Sequence, residues 1–250
     1  MHERQIMTIH NEANRRSALV TGATSGIGKA AALRLAADGF HVLVHGRDAD
    51  RGAAVVAEIE KNGGSASFVA ADLTEVDAVK KLAEAAADVE VLVNNAGFAW
   101  FGPTGELTPE TFDALFAANV RSAYFLVAEL APKMVQRGGG NIINLGSMAG
   151  QMGLAGGAAY SATKASLAAF TRAWAAEFSP SGVRVNTIAP GPVYTGAAAA
   201  DFISAQGEQL PIGRAAQAEE IGDAIGFLAS HASAYITGAV IPVDGGATGV

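Results

Sequence analysis

Short apolar segments alternate with longer helix-forming stretches along almost the whole chain. The apolar segments have the length of β-strands and end at glycine, proline or polar residues. The predicted strands are residues 17–21, 41–45, 67–71, 89–94, 141–145, 183–188 and 239–243. The predicted helices are residues 27–37, 48–61, 75–87, 108–136, 158–178 and 218–229. Apolar strands separated by helices predict a parallel sheet covered on both faces, so we expect an α/β fold with one doubly wound domain.

The composition supports one domain of this kind. Half of the 250 residues are hydrophobic and 16% are charged, which is enough for a large core and too little charge for long disordered stretches. We place the domain at residues 17–250 and interpret residues 1–16 as a flexible tail, within which Met7 is an alternative start. The tail lacks the apolar segment of a secretory signal, and no apolar run reaches the ~18 residues of a transmembrane helix. We therefore expect a cytoplasmic protein without a membrane partner.

Charge and residue usage exclude several function classes. The formal net charge is −7 and there is no basic run, which argues against a nucleic-acid partner. The chain has no cysteine, and its five histidines form no H-x-x-x-H pair on one helix, so we predict no metal site. The G-x-S-x-G elbow of many hydrolases is also absent.

A glycine-rich loop lies between the first predicted strand and the first predicted helix. In this place glycines let the backbone turn sharply and approach a pyrophosphate, which binds the N–H groups at the positive end of the helix. The alternative is a turn without a ligand, but the position favours a dinucleotide site. The cofactor contacts predicted here are Gly22, Thr24, Ser25, Gly26, Ile27 and Gly28.

Two chemically matched side chains lie four residues apart in predicted helix 158–178. They are Tyr160 and Lys164, and this spacing puts them on one helix face. A neighbouring ammonium favours the phenolate, so we expect the pKa of Tyr160 to fall from about 10 towards neutrality. Such a tyrosine can give or take a proton at physiological pH. By itself, the pair is equally compatible with an ordinary exposed helix face.

Taken together, the motifs resemble the short-chain dehydrogenase/reductase family. They occur in family order, as the glycine loop, Asn-Asn-Ala-Gly at 94–97, Ser147, Tyr160-x-x-x-Lys164 and Pro190-Gly191. The resemblance extends over nearly the whole chain and includes NADP-dependent carbonyl and 3-ketoacyl reductases. It implies a Rossmann fold with a seven-stranded parallel sheet. It also implies hydride transfer between NAD(P)(H) and a carbonyl or secondary alcohol.

The resemblance implies roles for four catalytic residues. Tyr160 would be the general acid in reduction and the base in oxidation, and Lys164 would lower its pKa and bind the nicotinamide ribose. Ser147 would position and polarise the substrate carbonyl. Asn119 would hold a water in a proton relay to Lys164. The residues alone are also consistent with simpler roles. Ser147 would then be an ordinary serine at the end of a strand, and Asn119 would be a helix residue whose side chain hydrogen-bonds a local backbone group.

The remaining predicted cofactor contacts follow from the same resemblance. Asp72 would bind the adenine amino group, or cap the next helix, and Thr195 would contact the nicotinamide carboxamide. Residues 192–207, rich in alanine and glycine, would form a mobile lid over the substrate. The other contacts are Leu73, Asn95, Ala96, Gly97, Pro190, Gly191 and Val193, together with Tyr160 and Lys164.

The residues at the end of the second predicted strand indicate whether the chain prefers NAD(H) or NADP(H). Folds that prefer NAD usually place a carboxylate there, on the ribose 2′-hydroxyl. Here Gly46 stands at that position and leaves room, and Arg47 can grip a 2′-phosphate with assistance from His45. We therefore predict NADP(H) rather than NAD(H). Against this, Asp48 could reach the ribose, and Ser25 stands where some NADP-dependent members of the family have a basic residue.

The sequence thus predicts an oxidoreductase that acts on a small-molecule carbonyl or alcohol. The alternatives are an NAD-dependent alcohol, sugar or steroid dehydrogenase of the same family and a non-catalytic dinucleotide-binding sensor. The apolar residues that flank the motifs and predict a largely apolar pocket are Phe98, Trp100, Phe101, Met148, Met152, Leu154 and Tyr194. The resemblance also implies a homo-oligomer, a tetramer, with residues 108–136 and 158–178 at one interface and 235–246 at another.

Overall fold

A computed structural model of the chain describes residues 16–250, so the predicted tail lies outside the described residues except for Arg16. The strands are β1 (Ser17–Val20), β2 (His41–Gly46), β3 (Ser65–Ala70), β4 (Val91–Asn94), β5 (Gly140–Leu145), β6 (Val183–Pro190), β7 (Val193–Tyr194), β8 (Ala216–Gln217) and β9 (Val240–Val243). The α-helices are α1 (Gly26–Ala37), α2 (Ala49–Lys61), α3 (Val76–Ala85), α4 (Pro109–Phe116), α5 (Ser122–Gln136), α6 (Ala158–Phe178), α7 (Ala200–Glu208) and α8 (Ala218–Ala229).

One parallel sheet of seven strands forms the centre of the molecule, in the order β3-β2-β1-β4-β5-β6-β9. This confirms the predicted fold class. Strand β3 begins two residues earlier than predicted because it pairs with the whole of β2, from His41 opposite Ser65 to Gly46 opposite Ala70. The chain moves from β3 at one edge to β4 beside β1, so the strand order reverses there and a crevice opens at the carboxyl ends of these strands.

Each face of the sheet is covered by helices. Alternate side chains of a strand point to opposite faces, so Ala18 and Val20 join the core formed with α1, α2 and α8. Leu19 points the other way, into the core formed with α3, α5 and α6. This alternation is why segments that are apolar throughout are buried on both faces.

The predicted helix 108–136 is one continuous helical stretch with a change of pitch inside it. Thr108 caps α4 by accepting a hydrogen bond from the Thr111 N–H, and Pro109 takes the first position. A π-helical turn at Ala117–Arg121 then leads into α5. By length and mean hydropathy (1.3) the stretch Pro109–Gln136 could cross a membrane, but core helices meet the same criterion, and 44% of its apolar window is buried inside this protein.

Residues 192–207, predicted as a mobile lid, contain a strand and a helix. Strand β7 pairs with β8, and the alanine-rich part of the segment continues into helix α7. The alanines that suggested mobility are also the strongest helix formers. The Tyr194 hydroxyl lies 2.8 Å from the Ser204 hydroxyl, which ties β7 to α7.

Candidate active site

The glycine loop connects β1 to the first turn of α1. Gly22 and Gly26 have φ angles of 65° and 52°, a region that favours glycine. A Cβ atom at Gly28 would lie 2.2 Å from the Gly22 carbonyl oxygen, and one at Gly26 would lie 2.9 Å from Cβ of Thr195. The side chain of the N-cap residue Ser25 makes no capping hydrogen bond. The loop therefore needs glycine, and the positive end of α1 is not covered by a side-chain cap.

Residues after β4 hold this loop in place. The Asn95 amide donates to the carbonyl oxygens of Thr21 (2.8 Å) and Gly22 (3.2 Å). The Thr21 hydroxyl oxygen accepts from the N–H groups of Asn95 (2.9 Å) and Ala96 (3.0 Å). Asn95 was predicted only as a cofactor contact, and the structure shows that its side chain also fixes the loop.

A cavity of about 400 Å³ extends from the loop across the ends of β2, β3 and β4; we call it the cofactor cavity. It brings together fourteen of the predicted cofactor residues. They are Gly22, Thr24, Ser25, Gly26, Ile27, Gly28, His45, Arg47, Asp72, Leu73, Asn95, Ala96, Gly97 and Thr195. The predicted residues outside its lining are Tyr160, Lys164, Pro190, Gly191 and Val193. A narrow, glycine-walled crevice at a helix N-terminus fits a dinucleotide.

One end of the cofactor cavity is cationic. Arg47 is exposed there, and Arg51 lines the same cavity. The sequence analysis missed Arg51, although its position one helical turn after Arg47 was a usable signal. Asp48 caps α2 through the Arg51 N–H (3.0 Å) and pairs with the Arg51 guanidinium (2.9 Å). The carboxylate that could have reached a ribose therefore already has two partners.

Gly46 does not leave open space, contrary to the expectation. A Cβ atom there would lie 2.4 Å from Cγ2 of Thr24. The glycine is required because the end of β2 packs directly against the glycine loop. A carboxylate introduced at position 46 would therefore displace Thr24.

His45 lies behind the loop rather than at its open side. It is 3% exposed. Its Nδ1 accepts from the Gly22 N–H (3.2 Å), and its Nε2 lies 3.1 Å from the Ala71 carbonyl oxygen. Burial lowers the pKa of His45, although the bond to Ala71 acts in the opposite direction. Both ring nitrogens are thus engaged by backbone groups, and neither is left to assist at a 2′-phosphate.

Asp72 lines the cofactor cavity, as predicted, but it does not cap the next helix. Its Oδ1 accepts from the N–H (3.0 Å) and the hydroxyl (2.8 Å) of Thr74, and these bonds lower the pKa of Asp72. The N-cap of α3 is Glu75. The capping alternative is therefore wrong, and the ionised carboxylate faces the cavity.

Ser147 and Tyr160 bring two hydroxyl groups together beyond the end of β5. Ser147 follows β5 directly, and Tyr160 lies in the first turn of α6. The Ser147 side chain lies close enough to the Tyr160 hydroxyl to favour its ionised form. Lys164 is 8% exposed, and its Nζ donates to the Leu145 carbonyl oxygen (2.7 Å) at 5.8 Å from the centre of the Tyr160 ring. The predicted catalytic serine, tyrosine and lysine therefore meet at one point.

The expected fall in the pKa of Tyr160 is wrong for the protein by itself. Burial raises the pKa of Tyr160, and the Ser147 side chain only partly opposes this. Burial also lowers the pKa of Lys164 to about 8. The ammonium is directed at the Leu145 carbonyl, so it does not hydrogen-bond the phenol, and loss of water outweighs its attraction.

Asn119 lies inside the π-helical turn and is 2% exposed. Its Oδ1 accepts from the Phe98 N–H (3.0 Å), and its Nδ2 donates to the Phe98 carbonyl (2.9 Å) and the Thr163 hydroxyl (3.1 Å). A Cβ atom at Gly97 would lie 2.6 Å from this Oδ1. The side chain thus fastens the segment after β4 to α6. A water relay to Lys164 stays a prediction.

Pro190, Gly191 and Val193 shape the turn that leads to Thr195. The Gly191 N–H donates to the Val243 carbonyl (3.2 Å), and a Cβ atom at Gly191 would lie 2.9 Å from Cα of Asp244. The contacts of Gly191 therefore fix the path of the backbone between β6 and β7.

A second cavity, of about 540 Å³, begins at the residue after Ser147; we call it the substrate cavity. Among the residues predicted for an apolar pocket, Met148 and Met152 line it. Phe98 lines the cofactor cavity instead, and the Phe101 ring meets the Tyr160 ring edge-on at 5.4 Å. Trp100, Leu154 and Tyr194 line neither cavity.

Comparison with known proteins agrees with this geometry. Residues 16–204 match the family model of the short chain dehydrogenases. The chain is 40% identical over 237 residues to the 3-oxoacyl-[acyl-carrier-protein] reductase of Synechocystis sp., covering 92% of this chain and 95% of that protein. It is similar to the solved structure of a short chain dehydrogenase/reductase family protein, with 45% identity, a TM-score of 0.87 and coverage of 94% and 98%. It is also similar to an angucycline C-6 ketoreductase with bound NADP, with 33% identity, a TM-score of 0.89 and coverage of 93% and 95%.

Proposed function

Because the chain belongs to the short-chain dehydrogenase family, and is thus an NAD(P)-dependent oxidoreductase that interconverts carbonyls and alcohols, we propose that it prefers NADP(H) and that Tyr160 moves the proton. The observation that carries this proposal is the approach of Ser147, after β5, to Tyr160 in α6, whose ring centre lies 5.8 Å from Nζ of Lys164. When bound, the nicotinamide supplies or accepts a hydride. The chain itself must then orient the carbonyl and transfer the proton.

Tyr160 and Ser147 act on the same substrate oxygen. In reduction, negative charge builds on this oxygen, and the Ser147 hydroxyl stabilises it by donating a hydrogen bond. Tyr160 then donates its proton as the general acid. The raised pKa of Tyr160 keeps the phenol protonated at neutral pH, which is the form that reduction needs. In oxidation the same hydroxyl accepts the proton.

Lys164 stabilises the phenolate that this step leaves behind. Its ammonium lies 5.8 Å from the centre of the ring and is held there by the Leu145 carbonyl. A positive charge at this distance favours the ionised phenol once the proton has left. We also assign Lys164 the contact to the nicotinamide ribose.

The preference for NADP(H) rests on the cationic end of the cofactor cavity. Arg47 lies there, and a guanidinium group binds phosphate oxygens with paired hydrogen bonds, whereas Arg51 is paired with Asp48. Asp48, the carboxylate that would favour a ribose 2′-hydroxyl, is engaged by Arg51. The bound NADP of the related ketoreductase is consistent with this choice.

We further propose that the protein is a symmetric tetramer. An aromatic group on α5 and α6 supports one interface: Tyr124 is 46% exposed, and its ring lies 5.6 Å from Phe170 and 6.0 Å from Trp174. Tyr235, fully exposed in the C-terminal segment, supports the second interface. Light scattering should give about four times the 25.3 kDa of one chain. A mass of one chain at micromolar concentration would contradict the proposal.

Consumption of NADPH and NADH with a panel of ketones tests the proposed reaction. We expect turnover with both cofactors and a higher kcat/KM with NADPH. Faster turnover with NADH would overturn the cofactor preference alone. Tight binding of the cofactor without turnover of any carbonyl or alcohol would favour a non-catalytic sensor.

A further inference from the structure

The substrate cavity lies beside the reactive hydroxyls. Its wall starts with Met148, the residue after Ser147, and includes Pro192, the residue after Gly191. Ser147 and Tyr160 themselves lie outside its lining, so the cavity adjoins the reactive hydroxyls through Met148. The volume of about 540 Å³ is in the range of small-molecule sites.

The side chains that line this cavity are uncharged and mostly apolar. Its larger side chains are Met148, Met152, Leu210 and two prolines, and its polar side chains are Gln206 and Gln209. Among the described residues that line it, none has an ionisable side chain. A carboxylate or phosphate placed here would lose water without gaining an ionic partner, which is costly.

Apolar surface continues from the cavity to the outside of the protein. Met152 is 41% exposed and Phe101, in contact with Tyr160, is 55% exposed. Phe202 is 59% exposed and lies one helical turn before Gln206, on the same face of α7. Large exposed apolar side chains around a cavity indicate that the molecule entering it is itself apolar.

We propose that the substrate is an uncharged ketone, or the matching secondary alcohol, whose carbonyl is carried on an apolar frame. Gln206 and Gln209 offer amide donors and acceptors to one neutral polar group on that frame, such as an ester or a second carbonyl. The two methionines adapt to frames of different shape. The proposal rests on the proposed function, and it argues against sugar acids, phosphorylated substrates and free oxo acids.

A matched pair of ketones tests the proposal with the wild-type protein. A 3-oxo ester and the free 3-oxo acid of the same chain length differ mainly in charge. We expect kcat/KM with NADPH to be at least about 10²-fold higher for the ester, because the cavity cannot pair a carboxylate. Equal values, or a preference for the acid, would overturn the proposed substrate class. If neither these nor any cyclic or aryl ketone were turned over, the proposed function would fail with it.

A charge placed in the lining sharpens this test. Met152→Lys introduces an ammonium into the substrate cavity, and Gln151→Lys introduces one at the exposed neighbouring position outside the lining. We expect Met152→Lys to reduce the ester-to-acid ratio at least about tenfold and Gln151→Lys to leave it unchanged. NADPH affinity, measured in both variants, checks that the fold is intact. An unchanged ratio in Met152→Lys would contradict the location of the substrate.

A separate inference concerns His45, whose ring joins the glycine loop to the end of β3. The main chain of His45 is also bonded to the glycine loop, since the Ala23 N–H donates to the His45 carbonyl oxygen (2.8 Å). The neutral ring with its proton on Nε2 satisfies both neighbours, because Nδ1 then accepts from Gly22 and Nε2 donates to Ala71. We infer that His45 is a positioning residue that holds the Gly22 turn in its cofactor-binding shape.

Protonation would reverse this contact. A proton on Nδ1 would face the Gly22 N–H, donor against donor, and the turn would loosen. The charged groups that act on the ring are Arg47, which opposes protonation, and Asp72, which favours it. Since burial lowers the pKa of His45, the contact is complete at neutral pH and is lost as the pH falls through the lowered pKa, below about 6.5.

Calorimetric binding of NAD⁺ between pH 5 and 8 tests this role, because NAD⁺ has no 2′-phosphate that titrates in the same range. We expect wild-type affinity to fall about three- to tenfold on acidification, the value of one hydrogen bond. His45→Asn retains an acceptor near Nδ1 and does not titrate, so its affinity should stay level. His45→Leu should bind weakly at every pH. The same pH dependence in wild type and His45→Asn, or wild-type affinity in His45→Leu, would overturn the inference without affecting the proposed reaction.

Discussion

The cofactor cavity and the substrate cavity are built from different parts of the chain. The cofactor cavity is walled largely by backbone, since Gly22 and Gly28 leave no space for side chains and Asn95 fixes the loop with hydrogen bonds. The substrate cavity is walled by flexible side chains such as Met148 and Met152. A change in the first therefore disturbs main-chain geometry, whereas a change in the second only alters its shape and polarity. The proposed cofactor site is thus enclosed mainly by backbone and the proposed substrate site mainly by side chains.

The largest expected effect comes from Tyr160, which lines neither cavity. Tyr160→Phe removes only the proton donor, so we expect kcat to fall about 10²- to 10⁴-fold while NADPH affinity is nearly unchanged. Tyr235→Phe removes a fully exposed hydroxyl and serves as the control. Steady-state kinetics and cofactor titration measure the two quantities. A kcat near that of wild type would remove Tyr160 from the mechanism.

Substitutions at two glycines test whether the backbone wall of the cofactor cavity tolerates change less well than the surroundings of the substrate cavity. Gly28→Ala forces a methyl group to within 2.2 Å of a backbone oxygen, whereas Gly153→Ala, near the substrate cavity, meets nothing within 4 Å. We expect Gly28→Ala to weaken both cofactors up to about 10²-fold and to lower the free energy of unfolding by about 1–3 kcal/mol. Gly153→Ala should change the free energy of unfolding by less than about 0.5 kcal/mol. Similar losses in both variants would remove the contrast.

Arg47 tests whether the cationic end of the cofactor cavity selects the cofactor. Arg47→Ala should lower kcat/KM for NADPH about 10- to 100-fold and leave NADH nearly unchanged, because only NADPH carries the 2′-phosphate. Arg172→Ala, on the exposed face of α6, is the matched control. Higher ionic strength should narrow the wild-type preference. Equal losses with both cofactors would mean that Arg47 only shapes the turn.

The smallest effect concerns Lys164, which is buried and donates to the Leu145 carbonyl oxygen. The pKa of Lys164 is about 8 in the folded protein, against 10.5 for an ordinary lysine. Between these values the unfolded chain binds a proton that the folded protein does not, so stability rises with pH. We expect the free energy of unfolding in urea to increase by about 1–2 kcal/mol from pH 8 to 9.5 and Lys164→Met to lose this increase. An equal rise in both proteins would show that other groups cause it.

Much of the fold and part of the site follow from the sequence alone. The alternation of apolar and helix-forming segments determined the parallel sheet, because strand and helix periods are properties of neighbouring residues. The motif order identified the glycine loop, Ser147, Tyr160 and Lys164. The family resemblance implied Asp72 and Thr195 as cofactor contacts, and the structure places both in the lining of the cofactor cavity.

The tertiary structure alone decided how these groups behave. The pKa of Tyr160 rises because packing removes water from its hydroxyl. Lys164 donates to the carbonyl oxygen of Leu145, 19 residues away in the chain. His45 joins Gly22 to Ala71, at separations of 23 and 26 residues. Burial and hydrogen-bond partners of this kind come from segments distant in sequence, and local pattern therefore carries little information about them.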